Sequence, residues 1–303
     1  MNKHRVKLKQ IFERLYNRYN HRNLIKPDPL QFVYQYNSPS DMEVVAFLSA
    51  ALAYGRVEQI EKSLSNLFAR MGESPFAFVK NFDKRGLKRL SGFKHRFTTG
   101  GDIADLLVLL KQVLKRYGSI ERFFIEGYNS GDKNIIPALT RFCDSLWKMY
   151  SKDHNGQPTV GLKFLLAGPA GGSACKRLNL FLRWMVRKDD VDLGLWKSID
   201  KAKLIVPVDV HIGRLCRILG IYPVRNNPVK SAKAPSVRVS NGVNNRKTAS
   251  LAAAVEITES FAQIEPTDPV KYDFALSRIG ITEGCNGKYD LRCKGCELVE
   301  FCK

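Results

Sequence analysis

A chain of 303 residues, 44% hydrophobic and 26% charged, has material for one large domain or two modest ones around a buried core. No apolar run is long enough for a bilayer, and the positive N-terminus lacks the apolar stretch of a secretory signal, so a membrane or secreted protein is not expected and a reducing cytoplasm is. Forty-nine Lys and Arg against 29 Asp and Glu leave a net charge of +20 spread along the chain, which favours a polyanionic partner, DNA or RNA ahead of ribosomes or acidic proteins.

In chain order, "MNKHRVKLKQIFERLYNRYNHRN" reads as a basic amphipathic helix with Val6, Ile11, Phe12 and Leu15 facing inward. "DMEVVAFLSAALAYG" predicts a helix capped by Asp41 and closed at Gly55, and "RVEQIEKSLSNLFARMG" follows directly. "GGDIADLLVLLKQVLKRYG" repeats leucines at helical spacing between glycines, and "IPALTRFCDSLWKMY" has the same period. No alternating strand series and no internal repeat stand out, so the class is all-α, with short glycine-containing turns joining the helices. "GPAGGSACKRLNLFLRWMVR" predicts a tight turn at Gly171, Gly172 and Ala174, then a helix with Leu178, Phe181, Leu182 and Met185 on one apolar stripe. Backbone amides at such a helix start bind phosphate without reading sequence.

"VPVDVHIGRLCRILGI" predicts another helix, with Asp209 as its cap, Ile212, Leu215, Cys216 and Leu219 on one face, and Gly220 as terminator. Read from these residues alone, Asp209 is a helix cap and His211 a half-buried structural histidine. Residues 222–247 hold three prolines, five asparagines and no acids, and read as a mobile basic insertion loop. Helical pattern resumes at "TASLAAAVEITESFAQI" and "DPVKYDFALSRIGI".

Four of the seven cysteines fall in the last stretch, "CNGKYDLRCKGCELVEFC". Cys293, Cys296 and Cys302 form C-x2-C-x5-C, with Cys285 eight positions upstream. In a reducing compartment such spacing points to a four-sulfur metal shell rather than disulfides, and zinc or a [4Fe–4S] cluster can occupy it.

This tail resembles the C-terminal iron–sulfur loop of the endonuclease III and adenine glycosylase families, C-x6-C-x2-C-x5-C, with one extra residue between the first two cysteines. That resemblance implies a [4Fe–4S] cluster on Cys285, Cys293, Cys296 and Cys302, and the extra residue keeps zinc as the alternative. "VDVHIGRL" resembles the V-D-T-H-V-x-R-V segment of the helix-hairpin-helix DNA glycosylase superfamily, which implies that Asp209 is the essential carboxylate and that His211 and Arg214 shape the turn at the DNA. "GPAGGSACKRLN" is similar to the superfamily hairpin L-P-G-V-G-x-K-T-A-N. On that match Lys176 takes the catalytic lysine position, Asn179 the asparagine, Gly171 and Gly172 the phosphate-binding turn, and Ala174 the second hairpin glycine. The Lys–Asp separation is wide, with "KDDVDLGLWKSIDKAK" between the two, as in archaeal 8-oxoguanine glycosylases. "EVVAFLSAALAYGRVEQI" resembles the "LLSAQATD" helix of endonuclease III, with Ala51 where that family has a glutamine.

The resemblance covers most of residues 41–302 outside 222–247. It implies a two-lobed helix-hairpin-helix glycosylase fold: a six-helix barrel over 41–188 and a second lobe of 1–40 plus 189–303 bearing the metal loop. The implied activity is that of a monomeric base-excision repair glycosylase and abasic-site lyase acting on damaged or abasic double-stranded DNA, with Lys176 as nucleophile and Asp209 as carboxylate. The rivals are a non-enzymatic binder of DNA structure with the same fold, and an interaction protein in which the metal loop is a staple.

Overall fold

The computed structural model describes residues 3–153, 157–222 and 250–302. The 222–247 loop, apart from Tyr222, lies outside the described residues. The described chain is mostly helical: α1 (Lys3–Tyr19), α2 (Pro39–Ala51), α3 (Val57–Met71), α4 (Pro75–Lys80), α5 (Lys84–Arg89), α6 (Gly100–Tyr117), α7 (Ile120–Ile125), α8 (Ile136–Asp153), α9 (Val160–Leu165), α10 (Lys176–Val186), α11 (Val210–Ile218), α12 (Leu251–Ala262) and α13 (Asp273–Ile281). Between α5 and α6 lies a two-stranded antiparallel ladder, β1 (Lys94–His95) and β2 (Thr98–Thr99). Two residues per strand are too few to produce a readable alternation, so this hairpin left no trace in the periodicity.

α2 is the central helix. It is buried from Val44 to Ala51 on every side and packs on α4 and α10, as a helix apolar all round must. Glu43, directly before that stretch, is 6% exposed. The carboxylate accepts the amides of Ile120 and Glu121 at the start of α7, each at 2.9 Å, and the Trp196 indole N–H at 2.9 Å. Trp196 in turn meets the rings of Phe124 and Phe181. The segment between the expected lysine and aspartate is therefore built into the core rather than looped out.

Local signals set most helix ends. Thr99 and Asp102 form a reciprocal capping box at the start of α6, and Gly118 at φ +85° closes it. Asp41 departs from its expected role. Pro39 starts α2 two residues earlier, and the Asp41 carboxylate instead accepts from Ser74 Oγ and Phe76 N, both at 2.8 Å, anchoring the start of α4. In α1 the inward face is Leu8, Ile11, Phe12, Leu15 and Tyr19, whereas Val6 is exposed.

A buried ionic network ties α10 to the chain ends. Arg183 donates to Asp192 Oδ1 at 3.2 Å and to Asp273 on α13. Arg187 chelates Asp268 at 2.9 and 3.0 Å and pairs with Asp189 at 2.8 Å and with Asp192. Arg278 on α13 reaches Asp28 at 3.4 Å, and Tyr16 on α1 donates to Asp189 at 2.9 Å. Burial works against the charge on Arg187, but Asp192, Asp268 and Asp189 hold it well above the ordinary guanidinium range. α1 and α11 both pack on α13, which brings the two ends of the chain together.

Candidate functional site

Lys176 opens α10, directly after the turn that follows α9. Gly172 takes φ +73° in that turn, and neither Gly171 nor Gly172 has a neighbour where a Cβ would stand, so this backbone faces open space. The second left-handed residue is Cys175 (φ +50°) and not Ala174. Ser173 Oγ accepts the Cys175 amide at 3.1 Å within the same turn. Asn179 is 2% exposed and donates to the Ala174 carbonyl at 3.1 Å. Ala174 and Asn179 thus brace the turn from within, and of the hairpin residues expected at DNA it is Gly171 and Gly172 that reach the surface.

α9 is held to the start of α6 from the other side. Asp102 accepts from Thr99 N at 2.7 Å and from the hydroxyl of Thr159, the cap of α9. Burial opposes ionisation of Asp102, yet hydrogen bonds from Thr159 and Thr99 keep its carboxyl below the usual range. A Cβ on Gly161 would lie 2.4 Å from the Asp102 carboxylate, so glycine is what permits this approach.

Lys176 Nζ donates to the Ala53 carbonyl at 3.3 Å, and Arg177 Nη1 donates to the Ala51 carbonyl at 2.8 Å. Two cations therefore cap the carbonyl end of α2, where the helix dipole is negative. The structure thereby sets Lys176 against the residues just after α2, whose last residue is Ala51, segments that the sequence reading treated separately. Arg177 stacks over Phe164 at 4.0 Å and over Tyr54 at 5.4 Å, and burial lowers its pKa to about 10, which leaves it charged at neutral pH. Sequence reasoning missed Arg177. Its only sequence signal was adjacency to Lys176.

Asp209 caps α11 as expected, accepting from His211 N at 2.8 Å and Ile212 N at 2.9 Å. Ile212, Leu215, Cys216 and Leu219 are all buried, and Gly220 takes φ +66°. The Asp209 charge also reaches the buried Asp273 and disfavours its ionisation, although burial is the larger cause. His211 lies against Gly280 of α13, where a Cβ would come within 2.5 Å of Nδ1. Among the described residues no hydrogen bond or ion pair joins Lys176 to Asp209.

Arg214, one turn along α11, donates to the Cys285 carbonyl at 2.8 Å, and Gly287 (φ +80°) makes room for its stem. The cysteine loop is thus fastened to the helix that Asp209 caps. α1 clasps it from the other side through Tyr19–Glu283 (2.7 Å), Arg14–Glu297 (2.8 Å) and Lys7–Glu300 (2.6 Å). Cys285, Cys293, Cys296 and Cys302 all line one cavity of about 190 Å³, with Leu15, Tyr19 and Leu215 on its apolar wall. Burial, with Cys285 and Cys293 nearby, pushes the Cys296 thiol up. Among the described residues no three His, Cys, Asp or Glu side chains converge at metal-binding spacing. The four thiols that line this cavity are the residues that could hold a metal group there.

No described helix is long and apolar enough to cross a membrane. No curated protein and no solved structure matches the chain. The model of one family matches residues 28–282, a span that includes Lys176 and Asp209 and stops short of the cysteine loop, and the chain belongs to that family, DUF2400, described as proteins of unknown function.

Proposed function

We propose that this protein is a helix-hairpin-helix DNA glycosylase and abasic-site lyase, acting through Lys176 and Asp209 on damaged or abasic double-stranded DNA. The observation that carries the reading is the Arg214–Cys285 contact. Two motifs more than seventy residues apart, each resembling the glycosylase superfamily, meet on α11. The α9–turn–α10 unit supports it from the other side, because it sets Lys176 at a helix start beside an exposed glycine turn. The +20 charge supplies sequence-independent attraction to phosphates.

In this reading the target base is flipped out of the stack, and Lys176, after its ammonium gives one proton to water, attacks the sugar C1′ through the freed amine lone pair. The N–C1′ bond forms as the C1′–base bond breaks, and the departing base takes that electron pair and a proton. Loss of the amine proton and opening of the sugar give a Schiff base. Removal of a C2′ proton then expels the 3′ phosphate with its bonding pair, and water releases the lysine. Asp209, held in place by its two amide bonds, stabilises the cationic sugar. Before attack, Lys176 exchanges its bond to the Ala53 carbonyl for the substrate.

The four cysteines border one cavity of about 190 Å³, and we take them to hold the [4Fe–4S] cluster that the resemblance implies, with zinc as the alternative occupant of a four-thiolate shell. When bound there, such a cluster would be held by Cys285, Cys293, Cys296 and Cys302 and would fasten the loop to α11 and α1.

The non-enzymatic reading draws on one observation, the engagement of Lys176 with Ala53 and not with Asp209. Incubation with duplex DNA carrying one abasic site separates the two. Strand cleavage lost in Lys176→Ala and slowed in Asp209→Asn supports the enzyme; binding without cleavage makes the protein a binder of DNA structure.

A further inference from the structure

The β1–β2 hairpin ends in two residues that core packing does not explain. Phe97 is 48% exposed at the tip. Arg96 beside it holds φ +56°, the left-handed conformation that the first residue of a two-residue hairpin loop takes. A turn that presents a large apolar ring to water offers a surface to a partner.

What surrounds the tip defines that partner. Phe97 lies 5.4 Å from the Tyr54 ring and 4.8 Å from the Phe164 ring, and the latter two are 4.8 Å apart. Arg177 covers Phe164, and Arg96 approaches Tyr54 at 5.9 Å, its stem lying along Gly55, where any Cβ would come within 2.9 Å. Tyr54 directly follows Ala53, whose carbonyl holds Lys176 Nζ. Aromatic faces interleaved with guanidinium groups bind a planar base and the phosphate next to it.

The platform is rigid. His95 is fully buried beneath the tip, accepting from Ser63 Oγ at 2.9 Å through Nδ1 and donating to the Tyr54 carbonyl at 3.0 Å through Nε2. Tyr54 donates its hydroxyl to the His95 carbonyl at 3.0 Å and accepts from Thr98 Oγ1 at 2.6 Å. These bonds fix the hairpin against α3 and the end of α2.

We infer that the Arg96–Phe97 tip is a stacking site for an unpaired nucleobase, placed on the same face as Lys176. The site rests on the nucleic-acid reading above and adds to it how a disrupted base pair is told from an intact one. Phe97 takes up the exposed face of a base that has lost its partner, and Arg96 holds the adjoining phosphate. An intact duplex offers no free base face, so it gains only the charge attraction.

The test uses the full chain and two end-labelled duplexes, identical except that one carries a single abasic site, with affinity read by fluorescence anisotropy. The wild-type protein binds the abasic duplex more tightly than the intact one. Phe97→Ala weakens binding to the abasic duplex about fivefold to a hundredfold, the range of one base–aromatic stack, and leaves intact-duplex affinity within about twofold. Phe97→Trp retains the preference. A 2-aminopurine opposite the abasic site changes emission on binding the wild type and not on binding Phe97→Ala. An unchanged preference in Phe97→Ala overturns the stacking site while leaving the lyase reading standing. Loss of the preference in a protein that never cleaves abasic DNA supports the site and sinks the enzyme. Failure of the wild type to bind either duplex sinks both, and a lower melting temperature with equal loss on both duplexes returns Phe97 to a structural role.

Discussion

Asp192→Asn perturbs the buried network at its most shared point. Asp192 is 1% exposed and takes one bond from Arg183 at 3.2 Å and another from Arg187. Removing one partner of a buried ion pair costs about 3–5 kcal/mol, because a charge is left in the interior without compensation. Here Arg183 keeps Asp273, and Arg187 keeps Asp189 and Asp268, so the lower end, about 3 kcal/mol, is expected. The amide can still accept from one guanidinium, but its NH2 group faces the other. For a chain of 303 residues that loss corresponds to a fall of roughly 5 °C in melting temperature, measured by circular dichroism. Lys133→Ala is the control. It breaks a pair with Glu259 in which the lysine is 81% exposed, and such a pair is worth about 0–1 kcal/mol. If the two variants melt within about 2 °C of each other, the network is not the desolvated clamp described above, and the account of how α10 is held to α13 fails.

Three further predictions concern the start of α9, the cysteine loop and the charge. Gly161→Ala forces a methyl against the Asp102 carboxylate at 2.4 Å and should cost about 1–3 kcal/mol, lowering the melting temperature and freeing the start of α9; an unchanged melt would mean that the contact is slack. Anaerobically purified protein should be brown with about four irons per chain, and Cys296→Ser should lose both colour and solubility; colourless protein with one zinc per chain contradicts the cluster and leaves the fold standing. Duplex DNA affinity should fall with salt on a log–log slope of about −4 or steeper, as roughly five phosphate contacts require, and a flat dependence contradicts the use of the +20 charge.

Where function-bearing residues were legible, the signal was local. α11 could be read whole, from Asp209 at its cap through its four-residue apolar face to Gly220, because each feature depends on neighbours within one helix. The tight turn before Lys176 was legible in its small residues, but that the second left-handed residue is Cys175 was not, because nothing in residue size marks a cysteine for that conformation. Asp41 looked like a cap for its own helix and serves another more than thirty residues away. Arg183 lies on a helix that reads as amphipathic, yet its partner Asp273 is ninety residues distant, and no period in the sequence marks such a pair. Tyr54, Phe97 and Phe164 are unremarkable one at a time. They acquire meaning because a two-residue ladder folds Phe97 back over the end of α2.

The most direct test of the central claim is borohydride trapping on abasic duplex DNA, a substrate that needs no recognition of a particular lesion. Reduction of the Schiff base fixes the protein to the strand, and the cross-linked species is read on a denaturing gel and mapped by peptide mass. The account predicts a covalent complex with wild-type protein, attachment at Lys176, none with Lys176→Ala, and slow formation with a folded Asp209→Asn. Trapping that persists in Lys176→Ala, or no trapping by a protein that binds the same duplex, contradicts it.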